Sequence, residues 1–357
     1  MIDSGCGLTN SDGAHTGPER ERLRIEPVGE LEDLDHSDWD RLARRSGNLF
    51  GTREWISTWW KVFASPGSLM SFTCRDGDGS LVALLPMYVC TGSPSRELRF
   101  LGHREADRLG PVCAPGHRPA VAEAMRQALY ENRARFDVFV GDDLPEHERW
   151  GNAIGARSVR RTSSPVLRRE GRSWQGFLST QSPNFRQQAR RLERRLARDH
   201  SLGYRLAEDP SRLDGDLDAL LRLHEARWGG VSKAFLGKRA TLHRVFAAKA
   251  LERGWLRLWI AELDGRPAAA WYGFRYGDVE WYYQAGRDPR YDRLSIGFVL
   301  LAHTIRAALD DGVDEYRLLR GDERYKLRFA NADAPVETVM LASHDLPPGE
   351  SAGATAP

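Results

Sequence analysis

The chain has 357 residues, more than one hydrophobic core usually covers, so we expect two domains of ordinary size. Its composition, 41% hydrophobic and 29% charged residues, is that of a folded protein and excludes global disorder. The 52 lysines and arginines nearly balance the 50 aspartates and glutamates, so the net charge of +2 demands neither a nucleic acid nor a membrane as partner.

The two ends of the chain predict disordered tails, at residues 1–20 and 346–357. The first is rich in Gly, Ser, Asp, Thr and Pro and lacks the basic and apolar regions of a secretion signal, which predicts a cytoplasmic protein. The apolar stretch 295–305 is far short of the roughly 20 residues that cross a bilayer, so we expect no membrane span. The cysteines form no Cys-x-x-Cys pair and no zinc-like spacing, which predicts free thiols and no metal: Cys6, Cys74, Cys90 and Cys113.

The first half of the chain mixes strand and helix patterns. Asp-Gly-Asp-Gly at 76–79 supplies the positive-φ residues of a hairpin between strands at 70–75 and 81–90. The other predicted elements are a strand at 23–28, helices at 38–45, 50–63 and 118–132, and a strand at 136–140. A connection around 163–171 suggests a boundary, and we expect domains at 21–160 and 161–345.

The second half predicts a long basic helix, a three-stranded meander and a helix that follows the meander. Asp264-Gly265 and the run Tyr276-Gly-Asp278 mark the two turns of the meander. The predicted helices are 184–199, 217–228, 239–253, 296–311 and a short one within 321–329, and the strands are 202–207, 255–262, 268–275, 279–285, 315–319 and 336–342.

The start of the helix at 296–311 is a candidate anion site. A helix N-terminus offers unpaired backbone N–H groups and the positive end of a dipole, which suit a phosphate. We expect Ser295 to cap this helix, Gly297 to allow close backbone approach, and arginines of the preceding loop, Arg287, Arg290 and Arg293, to pair with phosphate. The alternative is that Ser295 caps a core helix and the arginines are solvated.

Three segments carry a resemblance to a known family: 223–228 (LHEARW), 291–301 (YDRLSIGFVLL) and 318–329 (LLRGDERYKLRF). They are similar to the acetyltransferase family named after CelD, also called BioF2-like, which is related to the Fem peptidoglycan aminoacyltransferases. Fem proteins are built from two acetyltransferase-like domains, and residues 50–63 and 98–102 fit the N-terminal one.

The resemblance implies an α/β (α+β) fold with tandem acetyltransferase-like (GNAT) domains, whose mixed, largely antiparallel sheets are flanked by helices. It also implies an acyl-coenzyme A donor whose diphosphate meets the helix start, at Arg287, Arg293, Ser295, Ile296, Gly297 and Phe298. One departure leaves the donor open: the loop 287–297 has a single glycine at its helix end, where ordinary acetyltransferases have Arg/Gln-x-x-Gly-x-Gly/Ala.

Acyl transfer from a thioester needs an acid for the departing thiolate and a base for the acceptor. The resemblance implies a tyrosine near the thioester sulfur, and Tyr325 occupies that place; the alternative is that Tyr325 packs and Lys326 is a surface residue. The candidate bases are Glu323, His224 and Glu225.

Candidate acceptor residues are Arg227, Trp228, Tyr283 and Lys326. His224 and Trp228 lie four residues apart on one predicted helix, so they share a face that either lines the acceptor pocket or belongs to the core. The acceptor class that we expect is a small molecule or saccharide with an amine or hydroxyl.

The segment 185–198 is the most basic part of the chain. Such a run is usually a solvated helix face, but it could also bind the adenosine 3′-phosphate, an anionic polysaccharide or lipid carrier, or the acceptor stem of a tRNA, as Fem relatives do. Three functions follow in order of preference: an acyl-CoA-dependent acyltransferase, an aminoacyltransferase that uses charged tRNA, and a binding protein without catalysis.

Overall fold

The computed structural model describes residues 22–64, 67–91 and 94–346. In the first half, the helices are α1 (His36–Ser46), α2 (Arg53–Phe63), α3 (Arg118–Glu131) and α4 (Trp150–Ile154). The strands are β1 (Arg24–Val28), β2 (Gly67–Leu69), β3 (Ser71–Arg75), β4 (Leu81–Leu85), β5 (Met87–Cys90), β6 (Glu97–Phe100), β7 (Val112–Cys113), β8 (Val138–Pro145) and β9 (Arg157–Thr162).

In the second half, the helices are α5 (Trp174–Thr180), α6 (Pro183–Asp199), α7 (Leu213–Trp228), α8 (Lys238–Glu252), α9 (Ile296–Asp310) and α10 (Arg324–Leu327). The strands are β10 (Pro165–Arg168), β11 (Leu202–Leu206), β12 (Leu256–Leu263), β13 (Arg266–Tyr276), β14 (Val279–Arg287), β15 (Glu315–Arg317), β16 (Ala332–Asp333) and β17 (Val336–Ala342). None of the helices in the described ranges is both long and apolar enough to cross a membrane.

The described strands form three sheets. The first half contributes a four-stranded sheet in the order β1-β3-β4-β7 and most of a six-stranded sheet in the order β2-β5-β6-β8-β17-β9. The predicted hairpin is confirmed, because β3 and β4 pair antiparallel across the turn at 76–79. The strand predicted at 81–90 is wrong as a single element: it breaks at Pro86, and its two parts, β4 and β5, lie in different sheets.

The third sheet has seven strands in the order β11-β12-β13-β14-β15-β10-β16. Its meander, β12 to β14, pairs antiparallel throughout, as predicted. One face of this sheet packs on α7 and α8, and the other face packs on α9, α5 and α6. The sheet therefore separates two apolar cores. The first core lies on the side of α7 and α8 and continues into the first half of the chain, and the second core lies around α5, α6 and α9.

The chain crosses the predicted domain boundary. Strand β17 belongs to the segment 161–345 in sequence, yet it lies between β8 and β9 and completes the six-stranded sheet of the first half. We keep 21–160 and 161–345 as a proposed division, with β17 assigned to the six-stranded sheet of the first half. The tail predicted at 1–20 lies outside the described residues. Of the tail predicted at 346–357 only Leu346 is described, and its side chain is buried in the first core.

Helix α2 of the first half packs against α8 of the second half through aromatic contacts. Trp55 of α2 meets Phe246 of α8 edge to face with ring centroids 4.8 Å apart. Just before α2, the ring of Phe50 meets that of Trp281 in β14 at 5.6 Å. A partly buried hydrogen bond crosses the same boundary: the hydroxyl of Tyr283 donates to the carbonyl oxygen of Glu105 at 2.7 Å. The two halves therefore share one core.

Candidate active site

A groove opens where strands β14 and β15 separate. The two strands pair in parallel at only three positions, from Val279 with Glu315 to Trp281 with Arg317. Strand β14 continues to Arg287, whereas β15 ends at Arg317. Beyond Trp281 the backbone edge of β14 on this side has no strand partner in the described chain, so its amide and carbonyl groups are available to a ligand.

A β-bulge in β14 sets the directions of the side chains at the point of separation. Tyr272 pairs with Gln284 and Gly273 pairs with Tyr282, which leaves Tyr283 as the extra residue. A Cβ atom at Gly273 would lie 2.2 Å from the carbonyl oxygen of Trp281, so the bulge requires glycine at this position. The ring of Tyr282 stacks on Trp271 at 5.6 Å, and the ring of half-buried Tyr283 packs against Phe50, Trp55 and His243.

The first pocket of the groove is mainly apolar. It has a volume of about 340 Å³ and lies between β13, β14 and the start of α9. Its walls are Arg227, Ala269, Ala270, Trp271, Tyr282, Ala285, Gly286, Arg287, Asp292, Ser295, Gly297, Phe298, Leu300, Leu301 and Tyr325. Four of the six residues predicted for the donor, Arg287, Ser295, Gly297 and Phe298, are therefore brought together.

The other two residues predicted for the donor do not line this pocket. The side chain of Ile296 is fully buried in the second core, and Arg293 is exposed outside the pocket walls. The expected cap is also wrong: Ser295 has a left-handed backbone, φ 57°, and its side chain makes no capping hydrogen bond, because the preceding 3-10 turn runs directly into α9. Arg287 is ion-paired with Asp292 at 2.6 Å, and Arg290 with Asp288 at 2.6 Å.

The second pocket is polar and lies between the two halves of the chain. Its volume is about 370 Å³, and its walls are Asp107, Arg160, Thr162, Arg227, Trp228, Tyr282, Tyr283, Gln284, Leu318, Leu319, Arg320, Gly321, Glu323, Tyr325 and Lys326. All four predicted acceptor residues line it: Arg227, Trp228, Tyr283 and Lys326. So does Glu323, one of the three candidate bases, whose carboxylate pairs with Lys326 at 3.0 Å.

The other two candidate bases lie outside both pockets. Glu225 is exposed on α7, and His224 is only 3% exposed because α7 packs closely on β14. A Cβ atom at Gly286 would lie 2.3 Å from the backbone nitrogen of His224. Burial, with a smaller contribution from Arg227, lowers the pKa of His224 to about 4, so this imidazole is neutral at pH 7. Of the pair that was expected to share a face, Trp228 faces the pocket and His224 belongs to the core.

The two pockets meet at three side chains, since Arg227, Tyr282 and Tyr325 line both. The hydroxyl of Tyr325 donates to that of Tyr282 at 3.3 Å. Burial raises the pKa of both tyrosines, so both hydroxyls are protonated at neutral pH. The sequence did not predict a role for Tyr282, because the alternation of residues in a strand does not show where a bulge changes the direction of the side chains.

A charged wall built from both halves of the chain closes the polar pocket. Arg320 lies between two carboxylates, with Nε 2.6 Å from Asp107 and Nη1 2.5 Å from Asp143. Arg160 reaches the other oxygen of Asp143 at 3.3 Å. Burial raises the pKa of Asp143 and the two guanidinium groups oppose that shift. Asp107, Arg160 and Arg320 were missed by sequence reasoning because they are far apart in the chain. No cluster of His, Cys, Asp and Glu in the described ranges has the arrangement of a metal site.

Residues 183–327, from α6 to the end of α10, match the family model described as acetyltransferase (GNAT) domain. No curated protein matches the sequence significantly. Many solved structures are similar to this chain, and three of them are similar over most of their length.

FemX has a TM-score of 0.61 and 10% identity, with 88% of this chain and 96% of that chain covered. L-PGS from Bacillus licheniformis has a TM-score of 0.57 and 12% identity, with 88% and 93% covered. A tandem GNAT protein from the clavulanic acid biosynthesis pathway, solved without AcCoA, has a TM-score of 0.50 and 14% identity, with 90% and 99% covered.

At these identities the likeness concerns the fold alone. The fold class predicted from the sequence is confirmed: the chain has a mixed α/β architecture similar to that of tandem GNAT proteins. Its second half contains a GNAT acetyltransferase domain, and the groove between β14 and β15 lies within the matched residues.

Proposed function

We propose that the chain transfers an acyl group from an acyl-coenzyme A to an amine or hydroxyl of a small-molecule or saccharide acceptor. The observation that carries this proposal is the meeting of an apolar pocket and a polar pocket at the hydroxyl of Tyr325. We also propose the CelD-named branch of the family, because the segments 291–301 and 318–329 that resemble it contribute residues to these two pockets.

The apolar pocket suits the pantetheine arm of the donor. The unpaired edge of β14 offers amide and carbonyl groups to the two amides of such an arm, in the way that a further strand would use them. The first backbone N–H groups of α9, at Ile296 and Gly297, have no intrahelical partner and suit the diphosphate. Ile296 thus contributes through its backbone, and its side chain anchors the helix in the core.

The side chains at the junction suit the chemistry of acyl transfer. When the acceptor nitrogen or oxygen attacks the thioester carbonyl carbon, the new C–N or C–O bond forms and the C–S bond breaks. The protonated hydroxyl of Tyr325 is placed to give its proton to the departing sulfur, and Glu323 is the candidate base best placed to take the proton of the acceptor. Tyr325 regains a proton from solvent at the end of the cycle.

Donor binding is tested by thermal unfolding with acetyl-CoA and longer acyl-CoAs. A ligand at 100 times its Kd stabilises the folded state by about 2.7 kcal/mol, which gives a readily measured rise in Tm. Gly297→Trp fills the apolar pocket from the start of α9 and should abolish the rise. Gly203→Trp is the control, because Gly203 is exposed in β11 with open space around it. The absence of a shift with every acyl-CoA would contradict the proposed donor.

A second candidate function is aminoacyl transfer from a charged tRNA, which the surface of α6 favours. Six arginines line a depression along this helix, while its apolar side chains pack into the second core. Of these six arginines, four form no ion pair with any described residue: Arg186, Arg190, Arg191 and Arg194. The other two, Arg195 and Arg198, pair with Asp199.

The test of this second function is tRNA binding as a function of salt. Counterion release predicts a negative slope of log K against log salt concentration, which should become shallower when Arg190, Arg191, Arg194 and Arg195 are replaced by glutamine. Binding that is absent or independent of salt excludes this function.

A further inference from the structure

The polar pocket contains one cation that no carboxylate offsets. Its walls carry four positive side chains, Arg160, Arg227, Arg320 and Lys326. Three carboxylates pair with them: Asp107 with Arg320, Asp143 with both Arg320 and Arg160, and Glu323 with Lys326. Arg227 has no ion pair with any residue in the described ranges of the chain, so one positive charge is left over.

Arg227 lies where the two pockets meet, and its guanidinium contacts a neighbouring aromatic ring. Its guanidinium stands 4.5 Å over the ring of Trp228, a contact that holds the side chain without neutralising its charge. It lines both pockets, and its charge favours the ionised forms of the Tyr282 and Tyr325 hydroxyls. A guanidinium held this way is preorganised for a two-pronged hydrogen bond to an oxyanion.

We infer that Arg227 binds a carboxylate of the acceptor, and that the acceptor is an amine with a carboxylate one or two carbon atoms away, as in an α-amino acid. This inference rests on the proposed acyl transfer. The donor does not supply the anion, because its thioester end is uncharged and its phosphates suit the start of α9. Ser295 and Gly297 of that helix start line the apolar pocket only, whereas Arg227 borders the acceptor as well.

A single unpaired guanidinium fits one carboxylate better than a doubly charged phosphate. Because Arg227 is beside the two tyrosines, a carboxylate bound to it places an amine on a neighbouring carbon at the junction of the pockets. The amine then attacks the thioester carbonyl carbon, the C–N bond forms as the C–S bond breaks, and the product is an N-acyl amino acid plus the free thiol. The proton lost by the amine balances the proton that the sulfur gains.

The experiment compares matched acceptors with wild type and with Arg227→Gln. The acceptor panel contains α-amino acids, their carboxamides and their decarboxylated amines, together with glucosamine and glucosamine 6-phosphate. Arg222→Gln is the matched control, since Arg222 is an exposed cation of the same helix that lines neither pocket. Donor binding, followed as the rise of Tm with acyl-CoA, should be the same in wild type and Arg222→Gln. It is measured for Arg227→Gln as well, so that a change in donor affinity is separated from a change in acceptor affinity.

We expect wild type to prefer an amino acid over its carboxamide by about 10- to 100-fold in kcat/KM, the effect of one charge-assisted hydrogen-bonded pair. Arg227→Gln should lose this preference, because KM for the acid should rise far more than KM for the carboxamide. A preference for glucosamine 6-phosphate over glucosamine that depends on Arg227 would overturn the carboxylate assignment in favour of a phosphate. Equal kcat/KM values of wild type for the amino acid and its carboxamide also overturn the inference. So does an equal loss of kcat for both acceptors in Arg227→Gln, because Arg227 would then act on the leaving thiolate.

A measurement of acceptor binding without the donor separates this inference from the proposed function. Calorimetry of the amino acid panel without any donor should show tighter binding of the acids to wild type than to Arg227→Gln, by the same factor. If no acyl-CoA binds but this difference persists, the acyl-CoA proposal fails and the carboxylate site stands. If acyl-CoA binds and is turned over but the difference is absent, the carboxylate site fails alone.

Discussion

Replacing Tyr325 by phenylalanine removes one hydroxyl from the junction of the two pockets and keeps the ring. That hydroxyl makes a single hydrogen bond in the described structure, 3.3 Å long, to Tyr282, so its loss should reduce the free energy of unfolding by no more than about 1 kcal/mol. The pockets should keep their shape, because the ring still fills the space between them. An effect on activity would therefore report on chemistry and not on folding.

If Tyr325 protonates the leaving thiolate, we expect kcat to fall about 100-fold or more, the usual contribution of a positioned general acid. A 100-fold loss corresponds to about 2.7 kcal/mol of transition-state stabilisation. The assay is the release of free thiol from acyl-CoA with a thiol-reactive dye, with KM for the donor measured separately and expected to stay unchanged. Because burial raises the pKa of Tyr325, wild-type activity should not fall through loss of this proton up to pH 10.

Two controls make the test specific. Tyr282→Phe removes the partner of the same hydrogen bond but keeps the Tyr325 hydroxyl, so its activity should fall by less than about 10-fold, in line with the loss of one weak hydrogen bond. An aryl thioester, whose thiolate leaves without protonation, should restore most of the rate of Tyr325→Phe. A Tyr325→Phe enzyme with kcat within twofold of wild type refutes the assignment, and an equal defect with both thioesters refutes the acid role.

Three further predictions concern the framework of the site. Gly286→Ala should lower the free energy of unfolding by about 1–3 kcal/mol and weaken donor binding, because the added methyl group would clash with the backbone of α7. Gly297→Ala should leave the Tm unchanged or higher, because its methyl group meets only the flexible Arg287 side chain at 3.2 Å. Equal Tm values for the two variants would contradict this prediction. Arg320→Gln leaves buried Asp143 with Arg160 alone and should cost about 3–5 kcal/mol in chemical denaturation. Arg161→Gln, in its exposed pair with Glu146, should have a much smaller effect. Burial lowers the pKa of four histidines to about 3 or 4: His103, His224, His243 and His303. Below pH 6.5 these histidines are therefore protonated in the unfolded chain but neutral in the folded one. The free energy of unfolding should fall as the pH drops from 6.5 towards 4, by up to about 1.4 kcal/mol per pH unit for each histidine. His243→Gln should make that slope shallower by one proton, and a stability that is constant between pH 7 and 5 would refute the argument.

Local patterns in the sequence were sufficient for most of the second half. The meander, the helix after it and the basic helix all appear within a few residues of their predicted bounds, because alternation and helical spacing report on which side of an element is buried. The strand β9 was missed for the same reason: five of its six residues are exposed, and its arginine-rich sequence carries no apolar alternation.

The candidate site was predictable in part. The helix start at 295–298 and the stretch 223–228 could be located because each is a short continuous segment with its own chemistry. The choice among neighbouring residues could not be made from the sequence: α7 turns Arg227 and Trp228 towards the polar pocket while its contact with Gly286 buries His224. Which side of a helix faces a pocket depends on the sheet that the helix meets.

The sequence by itself determined the fold class, the order of the longer elements in the second half and the segments that supply the groove, since these depend on interactions between residues close in the chain. The tertiary structure decided how the elements combine. It placed β17 in the sheet of the first half, directed Tyr282 to Tyr325 through a bulge, and brought Asp107 and Arg160 to a wall of the polar pocket. Each of these depends on contacts between distant parts of the chain, which are selected by the packing of the whole core and leave no local signal.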